Sequence, residues 1–295
     1  MSRAAVVVNP TKVDDDEAFR KSVRRAMDEH GWDEPLWLDT TAEDPGRGQA
    51  KSAVSAGVDL VLACGGDGTV TACAEGVTGT GVPLAIIPLG TGNLLARNVG
   101  LPTGTDEALA VALGSVQQPI DAGLVNGTLF VVMAGLGLDA QMLNDASDSL
   151  KKRLGWFAYA ISAARHLGDR PMRVTVSADG GRPRRMRASA LIVGNVGWLG
   201  GGRPLLPDAR PDDGMLDAVV LRAGGPAHWL AVAAHILLRR PGRDRVYRVQ
   251  FTELQVTLGR GEPWELDGEV MGSTRQLTVV AQPGALVLRM PQESV

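Results

Sequence analysis

Hydrophobic and polar residues follow two different patterns along this chain of 295 residues. In the first part, short apolar runs alternate with stretches of helical periodicity, as in buried parallel sheets whose strands are joined by helices. The apolar runs are Ala4–Val8, Leu36–Leu38, Leu60–Ala63 and Leu84–Ile87, and the helical stretches are Asp14–Glu29, Asp44–Ala56, Leu94–Asn98 and Asp106–Leu113. This order predicts a doubly wound α/β domain over residues 1–122.

Beyond residue 122 the pattern changes to strand-like runs joined by turns that are rich in Gly, Pro and Asp. The runs are Leu129–Ala134, Met172–Ala178, Met186–Val193, Met215–Leu221, Val246–Phe251, Leu254–Leu258, Leu277–Val280 and Ala285–Leu288. Two helical stretches, Lys151–Leu167 and Ala227–Arg240, interrupt them. We therefore predict a second, β-rich and sandwich-like domain over residues 123–295.

Composition indicates which partners and which cellular compartment to expect. The formal net charge is −3, so no overall positive field attracts nucleic acid. The two cysteines, Cys64 and Cys73, lie in a strand pattern and in a helix pattern, which favours buried thiols over a disulfide or a metal pair. The chain opens on a strand pattern without a signal-peptide layout, and its longest apolar stretch, Trp229–Leu238, is too short to cross a bilayer. We therefore expect a cytoplasmic protein that binds no nucleic acid.

Two glycine-rich segments follow the third and fourth apolar runs. The first glycine loop is Gly65-Gly66-Asp67-Gly68-Thr69, and the second glycine loop is Pro88-Leu89-Gly90-Thr91-Gly92-Asn93. Glycines at the carboxyl end of a parallel strand let backbone N–H groups approach an anion, and the helix that follows adds a positive dipole end. Neither loop fits the P-loop or the dinucleotide fingerprint. Together they predict a phosphate cradle with a carboxylate in its middle.

These loops, together with Asn9-Pro10 after the first strand and Leu266-Asp267-Gly268-Glu269 near the end, resemble the diacylglycerol kinase catalytic family. That family includes soluble bacterial lipid kinases and is related to sphingosine and ceramide kinases. The resemblance covers nearly the whole chain, with the motifs in the same order. It implies that residues 1–122 form a nucleotide-binding domain, that residues 123–295 form a lipid-acceptor domain, and that the last segment returns to the first domain.

The resemblance also implies which residues bind the ATP donor. They are Asn9, Thr40, Thr41, Gly65, Gly66, Asp67, Gly68, Thr69, Gly90, Thr91, Gly92 and Asn93. Asp67 is expected to act through Mg²⁺ or to position the donor; the alternative is that it only caps the following helix. For Thr40 and Thr41 a simple helix-capping role stays open.

On the acceptor side, the resemblance assigns Glu269 as general base with Asp267 beside it, so that Glu269, Asp267 and Asp67 form the catalytic set. Which carboxylate of the pair takes the proton stays open, because neighbouring carboxylates can titrate as a unit. Two carboxylates around a glycine are also typical of a plain hairpin turn.

The acidic segment Pro207–Asp217 resembles the family's structural Mg²⁺ loop. The expected ligands are the Asp213 side chain and the backbone carbonyls of Arg210 and Met215, since hard cations prefer oxygen donors. The alternative is an acidic turn that holds no metal.

We expect an ATP- and Mg²⁺-dependent lipid kinase that phosphorylates a lipid hydroxyl, with diacylglycerol as the first candidate acceptor. Its lipid substrate would be drawn from the inner face of the membrane, where the protein would be peripherally associated. A sphingoid-base or other lipid kinase, and a silent nucleotide- or lipid-binding regulator, are the alternatives. The second glycine loop argues against an NAD kinase, which should carry an Asn-x-Gly motif there. A homodimer is an open expectation.

Overall fold

The computed structural model describes residues 2–114, 116–137, 171–198, 204–222 and 246–292. The predicted helices Lys151–Leu167 and Ala227–Arg240 lie outside these residues. The chain divides into two compact units. Unit 1 comprises Met1–Ile120 and Gly284–Val295, and unit 2 comprises Asp121–Pro283.

Unit 1 alternates strands and helices. Its sheet has the order β4-β3-β1-β2 with every pair parallel, and Leu288 of the last strand pairs in parallel with Leu84. The elements are β1 (Ala4–Val8), α1 (Asp16–Glu29), β2 (Leu36–Asp39), α2 (Arg47–Ser55), β3 (Leu60–Gly65), α3 (Asp67–Val77), β4 (Leu84–Pro88), α4 (Leu94–Asn98) and α5 (Thr105–Gly114).

The first helix shows how the sequence builds this unit. Asp15 caps α1 by accepting a hydrogen bond from the Ala18 N–H at 3.0 Å, and acidic residues in the first turn suit the positive end of the helix dipole. Phe19, Val23 and Met27 recur at a spacing of four residues and are buried. They join a core with the inward side chains of β1 and β3, which are buried along their whole length.

Unit 2 is antiparallel, with the strand order β12-β11-β10-β7-β13-β14. Strand β8 pairs with β13 and β9, and β5 pairs with β6. The strands are β5 (Val116–Val125), β6 (Thr128–Phe130), β7 (Met133–Leu136), β8 (Met172–Ala178), β9 (Arg184–Ala188), β10 (Ala190–Gly194), β11 (Leu216–Leu221), β12 (Val246–Phe251), β13 (Glu253–Leu266) and β14 (Glu269–Met290). Alternate residues of β13, such as Leu254, Val256 and Leu258, point into the core.

The predicted fold class is confirmed, but several strands differ in detail from the prediction; the predicted strand Met186–Val193, for example, is divided into β9 and β10. Strand β5 was not predicted, because Pro119 and Gly123 interrupt its apolar pattern. The predicted strands Leu277–Val280 and Ala285–Leu288 are parts of the single strand β14. The predicted strand Leu129–Ala134 is divided into β6 and β7, because Asp267 takes the backbone N–H groups at the break. Within the described ranges, no helix is long and apolar enough to cross a bilayer.

Candidate functional site

The first glycine loop joins β3 to α3. Gly65 ends the strand, and Gly66 occupies the N-cap position of the helix, where no side chain in the described part of the chain provides a cap. Gly68 is exposed, with open space where a Cβ would stand, whereas Thr69 is buried against Gly65. A helix start without a side-chain cap offers backbone N–H groups and a positive dipole end to an anion.

Asp67 is the first residue of α3, but its carboxylate reaches the second glycine loop. Its Oδ2 accepts a hydrogen bond from the Asn93 N–H at 2.9 Å, and its Oδ1 accepts one from the Leu94 N–H at 2.6 Å. Burial raises the pKa of Asp67, and the N–H groups of Leu94 and Asn93 and the charge of Arg97 oppose that rise. Asp67 therefore caps the start of α4 and ties the two glycine loops together.

The second glycine loop packs directly on the first. The Leu89 N–H donates to the Gly65 carbonyl at 2.9 Å, and a Cβ at Gly90 would stand only 2.6 Å from the Gly66 Cα. Only glycine leaves room at this close approach. The Asn93 side chain closes the loop by accepting from the Gly90 N–H at 3.1 Å and donating to the Gly90 carbonyl at 2.8 Å. Thr91 and Gly92 are left exposed on the shared surface.

The remaining residues predicted to bind the ATP donor are Asn9, Thr40 and Thr41, and of these Asn9 contacts the first glycine loop. Asn9 lies at the first glycine loop, where its Nδ2 is 3.4 Å from the Thr69 Oγ1 and its backbone N–H donates to the Cys64 carbonyl at 2.9 Å. Thr40 is buried after β2. Thr41 is exposed, and its Oγ1 accepts from the Asp44 N–H at 3.1 Å in the turn before α2. Because α2 begins at Arg47 with Gly46 as its N-cap, Thr41 does not cap this helix.

The acidic segment Pro207–Asp217 is held from within unit 2. Asp121, which is buried, accepts a hydrogen bond from the Gly214 N–H at 2.7 Å and donates its own backbone N–H to the Pro211 carbonyl. Asp213 accepts from the Met215 N–H at 3.0 Å and from the Gln250 side chain at 3.0 Å. The predicted ligands Arg210, Asp213 and Met215 therefore lie in one ordered turn.

Negative charge accumulates in that segment. The pKa of Asp217 is raised to about 6, mainly by burial and in addition by the carboxylates of Asp213 and Asp208, while the Gln250 side chain opposes the rise. The described residues contain no group of three or more His, Cys, Asp and Glu side chains arranged to hold a metal. The predicted set contains a single carboxylate and two carbonyls, and its oxygen donors are those a hard cation prefers.

Asp267 and Gly268 form a two-residue hairpin turn between β13 and β14. Both have positive φ, 46° and 90°, and Leu266 pairs with Glu269 across the turn, as in the type I′ geometry that Asp-Gly favours. The Asp267 carboxylate accepts hydrogen bonds from three backbone N–H groups, those of Val131 (2.9 Å), Val132 (3.0 Å) and Met133 (2.8 Å). Its lone pairs are largely committed to the backbone between β6 and β7.

Glu269 begins β14 and is exposed, so its carboxylate can meet a ligand from solvent. Glu265, which the sequence analysis did not select, is 2% exposed and faces Gly135 of β7. Burial, together with the Asp267 carboxylate, raises the pKa of Glu265 to about 7, and the Gly268 N–H opposes the rise. A charged residue between the apolar Trp264 and Leu266 was the signal in the sequence.

The structure thus brings most predicted donor residues together in unit 1 and the predicted acceptor residues together at one hairpin turn of unit 2. Two joined glycine loops can bind the phosphates of a nucleotide, and an exposed carboxylate beside a hairpin turn can accept a proton; these are the functions that the class of phosphotransferases requires. The class rests on both units, because glycine loops of this kind serve many nucleotide-binding proteins.

Family models agree with this class. Residues 3–125 match the diacylglycerol kinase catalytic domain, and residues 131–290 match the YegS C-terminal NAD kinase beta sandwich-like domain. A protein of Pseudomonas fluorescens named "Probable lipid kinase YegS-like" is 33% identical over 285 residues, which cover 94% of this chain and 93% of that protein. The chain therefore belongs to the diacylglycerol kinase catalytic family of lipid kinases.

Three further proteins are similar to this chain, one in sequence and two in fold. A protein of Bacillus subtilis named "Diacylglycerol kinase" is 30% identical over 280 residues, covering 92% of this chain and 91% of that protein. A solved diacylglycerol kinase from Bacillus anthracis has the same fold, with a TM-score of 0.81 at 23% identity over 100% of this chain and 98% of that one. An NAD kinase from Archaeoglobus fulgidus shares the fold at a TM-score of 0.55 and 16% identity, covering 99% of this chain and 94% of that one.

Proposed function

We propose that this protein transfers the γ-phosphoryl group of ATP to the hydroxyl group of diacylglycerol, giving phosphatidic acid and ADP. The observation that carries the donor side is the joint surface of the two glycine loops, held by the Asp67 hydrogen bonds to Asn93 and Leu94. The acceptor is taken from the relative in Bacillus subtilis that is named a diacylglycerol kinase.

The donor phosphates would rest on the backbone of the two glycine loops. The uncapped start of α3 and the small residues Gly66 and Gly68 leave backbone accessible there, as phosphate binding requires. Asp67 contributes by holding the second loop, because both of its oxygens already accept backbone N–H groups. Three backbone N–H groups, those of Leu94, Asn93 and Asp67 itself, donate to this carboxylate, and its remaining lone pair would face the magnesium ion carried by ATP.

Phosphoryl transfer needs an acceptor for the hydroxyl proton. The acceptor oxygen forms a bond to the γ-phosphorus, the bond to the β–γ bridging oxygen breaks, and ADP leaves with that electron pair. Glu269 is exposed and suited to take the proton, whereas three backbone N–H groups occupy Asp267. We therefore assign the base to Glu269 and a positioning role to Asp267.

A structural magnesium ion fits the acidic segment. The carboxylates of Asp208 and Asp213 already disfavour ionisation of Asp217, and a divalent cation would relieve that repulsion. Asp213 would bind through its side chain, and Arg210 and Met215 through backbone carbonyls. The ion would supply stability to the turn that Asp121 holds.

Apolar residues beside the proposed base support a lipid acceptor. Val270 and Met271 follow Glu269 directly and are 49% and 38% exposed; Val116 is the remaining exposed large hydrophobic among the described residues. Met271 stands where the β13–β14 register shifts, and a β-bulge turns a side chain outward. We infer that these two side chains contact the acyl chains of a lipid drawn from the inner membrane surface.

The test is an assay with radiolabelled ATP in mixed micelles that contain diacylglycerol, sphingosine or ceramide, with NAD as a soluble acceptor. We expect label in phosphatidic acid, with a rate that depends on the surface concentration of diacylglycerol. Label confined to a sphingoid phosphate or to NADP would overturn the proposed acceptor. Absence of ATP-dependent label from every acceptor would overturn the proposed activity and favour a regulator.

The double variant Val270→Ser, Met271→Ser tests the apolar contact. It should raise the apparent KM for micellar lipid several-fold and leave the KM for ATP unchanged, because it removes exposed apolar area on the acceptor side alone. Val116→Ser is the matched control and should keep both constants. An unchanged lipid KM in the double variant would remove these residues from the acceptor contact.

A further inference from the structure

Glu265 is a buried carboxyl group for which the proposed reaction has no use. It lies near the end of β13, opposite Gly135 of β7 and Val270 of β14. A Cβ at Gly135 would stand 2.5 Å from its Oε1, so the neighbouring strand has room for this carboxyl only because it carries glycine there. Burying an ionisable group lowers the stability of the fold unless the group is hydrogen-bonded or paired with another charge. A buried carboxyl group therefore calls for a partner that explains its position.

The partner of Glu265 is the Asp-Gly turn itself. The Gly268 N–H donates to the Glu265 carboxyl, and the next residue in the chain is the proposed base, Glu269. Asp267, within the turn, is fixed by the N–H groups of Val131, Val132 and Met133. The turn that presents Glu269 is therefore held by two carboxyl groups.

We propose that Glu265 is a positioning residue of the acceptor side, which sets the orientation of Glu269 through the Gly268 N–H. The inference rests on the proposed function, because it takes Glu269 as the base. A carboxylate accepts a stronger hydrogen bond than a neutral carboxyl group does, so the protonation state of Glu265 controls how firmly the turn is held.

The titratable groups next to Glu265, among the residues that the structure describes, are Asp267 on the turn and Glu269 at the start of β14. The described strand β7 (Met133–Leu136) contains no titratable residue, and β14 places Val270 opposite Glu265. Burial and the Asp267 carboxylate raise the pKa of Glu265 to about 7, so the control operates close to neutral pH.

The experiment follows kcat and the Gly268 amide proton shift between pH 5.5 and 8.5 in wild type, Glu265→Gln and Glu253→Gln. Glutamine keeps an oxygen for the Gly268 N–H but cannot ionise. In wild type, kcat should rise roughly fivefold through a pH near 7, and the Gly268 amide shift should titrate with it. Glu265→Gln should lose both inflections and stay near the acid-side kcat. Glu253, an exposed glutamate on the same strand, is the matched control and should keep both.

An inflection near pH 7 that survives in Glu265→Gln would overturn the inference, as would a Gly268 amide that does not titrate in wild type. If Glu265→Gln fails to fold, Gly135→Ala displaces the same carboxyl from a neighbouring strand and should lower kcat at every pH without changing the KM for ATP. A wild-type protein that phosphorylates no acceptor would overturn the proposed function, while a titrating Gly268 amide would still support the contact with Glu265.

Discussion

Asp67 and Asp267 each precede a glycine, and each uses its carboxylate to hold a distant backbone segment, yet they do so in different surroundings. Asp67 sits at a helix start in a parallel domain and binds two N–H groups of the second glycine loop. Asp267 sits in a hairpin turn with φ of 46° and binds three N–H groups between β6 and β7. The same Asp-Gly pair can thus join the two loops of the proposed phosphate site or fix the turn that precedes the proposed base.

In both places the carboxylate accepts hydrogen bonds from backbone N–H groups, so each aspartate has a structural role. The groups proposed to meet the substrates are their neighbours: the exposed glycine backbone beside Asp67 and the exposed Glu269 beside Asp267. Loss of either aspartate should therefore affect folding as well as activity.

The largest expected effect is that of Asp267→Ala. It would leave the N–H groups of Val131 and Val132 without an acceptor where both residues are buried, at a cost of about 4 kcal/mol in the free energy of unfolding. Urea denaturation measures it. Asp179→Ala is the control, because Asp179 accepts similar bonds from Thr252 and Glu253 on an exposed surface and should cost about 1 kcal/mol. Equal losses of unfolding free energy in the two variants would show that Asp267 contributes no more to stability than Asp179 does.

The second prediction concerns pH and the free energy of unfolding. The pKa of Glu265 is about 7 in the folded protein and near 4.5 in the unfolded chain, so the folded state binds the extra proton between these values. Stability should fall as pH rises from about 4.5 to 7, by about 3 kcal/mol from this residue, and then level off. Glu265→Gln should remove that part of the slope. If the unfolding free energy of Glu265→Gln changes with pH in the same way as that of wild type, the raised pKa of Glu265 is contradicted.

The third prediction distinguishes the contribution of Asp67 from that of Asp267. Asp67→Ala should cost about 2 kcal/mol in stability, because two N–H groups lose their acceptor, and should lower turnover at least about a hundredfold because the second glycine loop is released. Asp67→Asn keeps one oxygen acceptor, so its stability and its turnover should both lie between those of wild type and those of Asp67→Ala. Chemical denaturation and steady-state kinetics provide the numbers. A folded Asp67→Ala enzyme with near-normal turnover would remove this loop from the donor site.

The smallest expected effect is that of the proposed structural cation. Addition of Mg²⁺ without nucleotide should raise the melting temperature by a few degrees, and a chelator should reverse the rise, because a ligand of the native state alone stabilises it. Asp213→Ala should abolish this response. Asp212→Ala, which removes only an exposed ion pair with Arg210, should keep it. A wild-type melting temperature that does not change when Mg²⁺ is added would favour an acidic turn that holds no metal.

Local patterns were enough to predict the α/β and β-rich halves, both glycine loops and the position of the Asp-Gly turn. Strand, glycine and helix signals lie within a few residues of each other, so the sequence displays them directly. The bonds from Asp267 to Val131–Met133 could not be predicted, because up to 136 positions separate the partners. The same bonds explain why one predicted strand is divided into β6 and β7.

Glu265 was missed for a related reason. Its role depends on Gly135, a residue of another strand, and on the turn that returns Gly268 to it. The partners of Asp67 were missed as well. The sequence placed this residue before α3, whereas its carboxylate accepts the N–H groups of Asn93 and Leu94 at the start of α4.

The most direct test of the account compares Glu269→Gln with Asp267→Asn, measuring unfolding free energy, ATP affinity and lipid phosphorylation on the same preparations. The account predicts that Glu269→Gln keeps wild-type stability and ATP affinity but loses phosphotransfer, because it removes the base and no packing. Asp267→Asn should lose stability and yet phosphorylate lipid measurably while folded. An active Glu269→Gln enzyme beside a stable, inactive Asp267→Asn enzyme would contradict the account and make Asp267 the base.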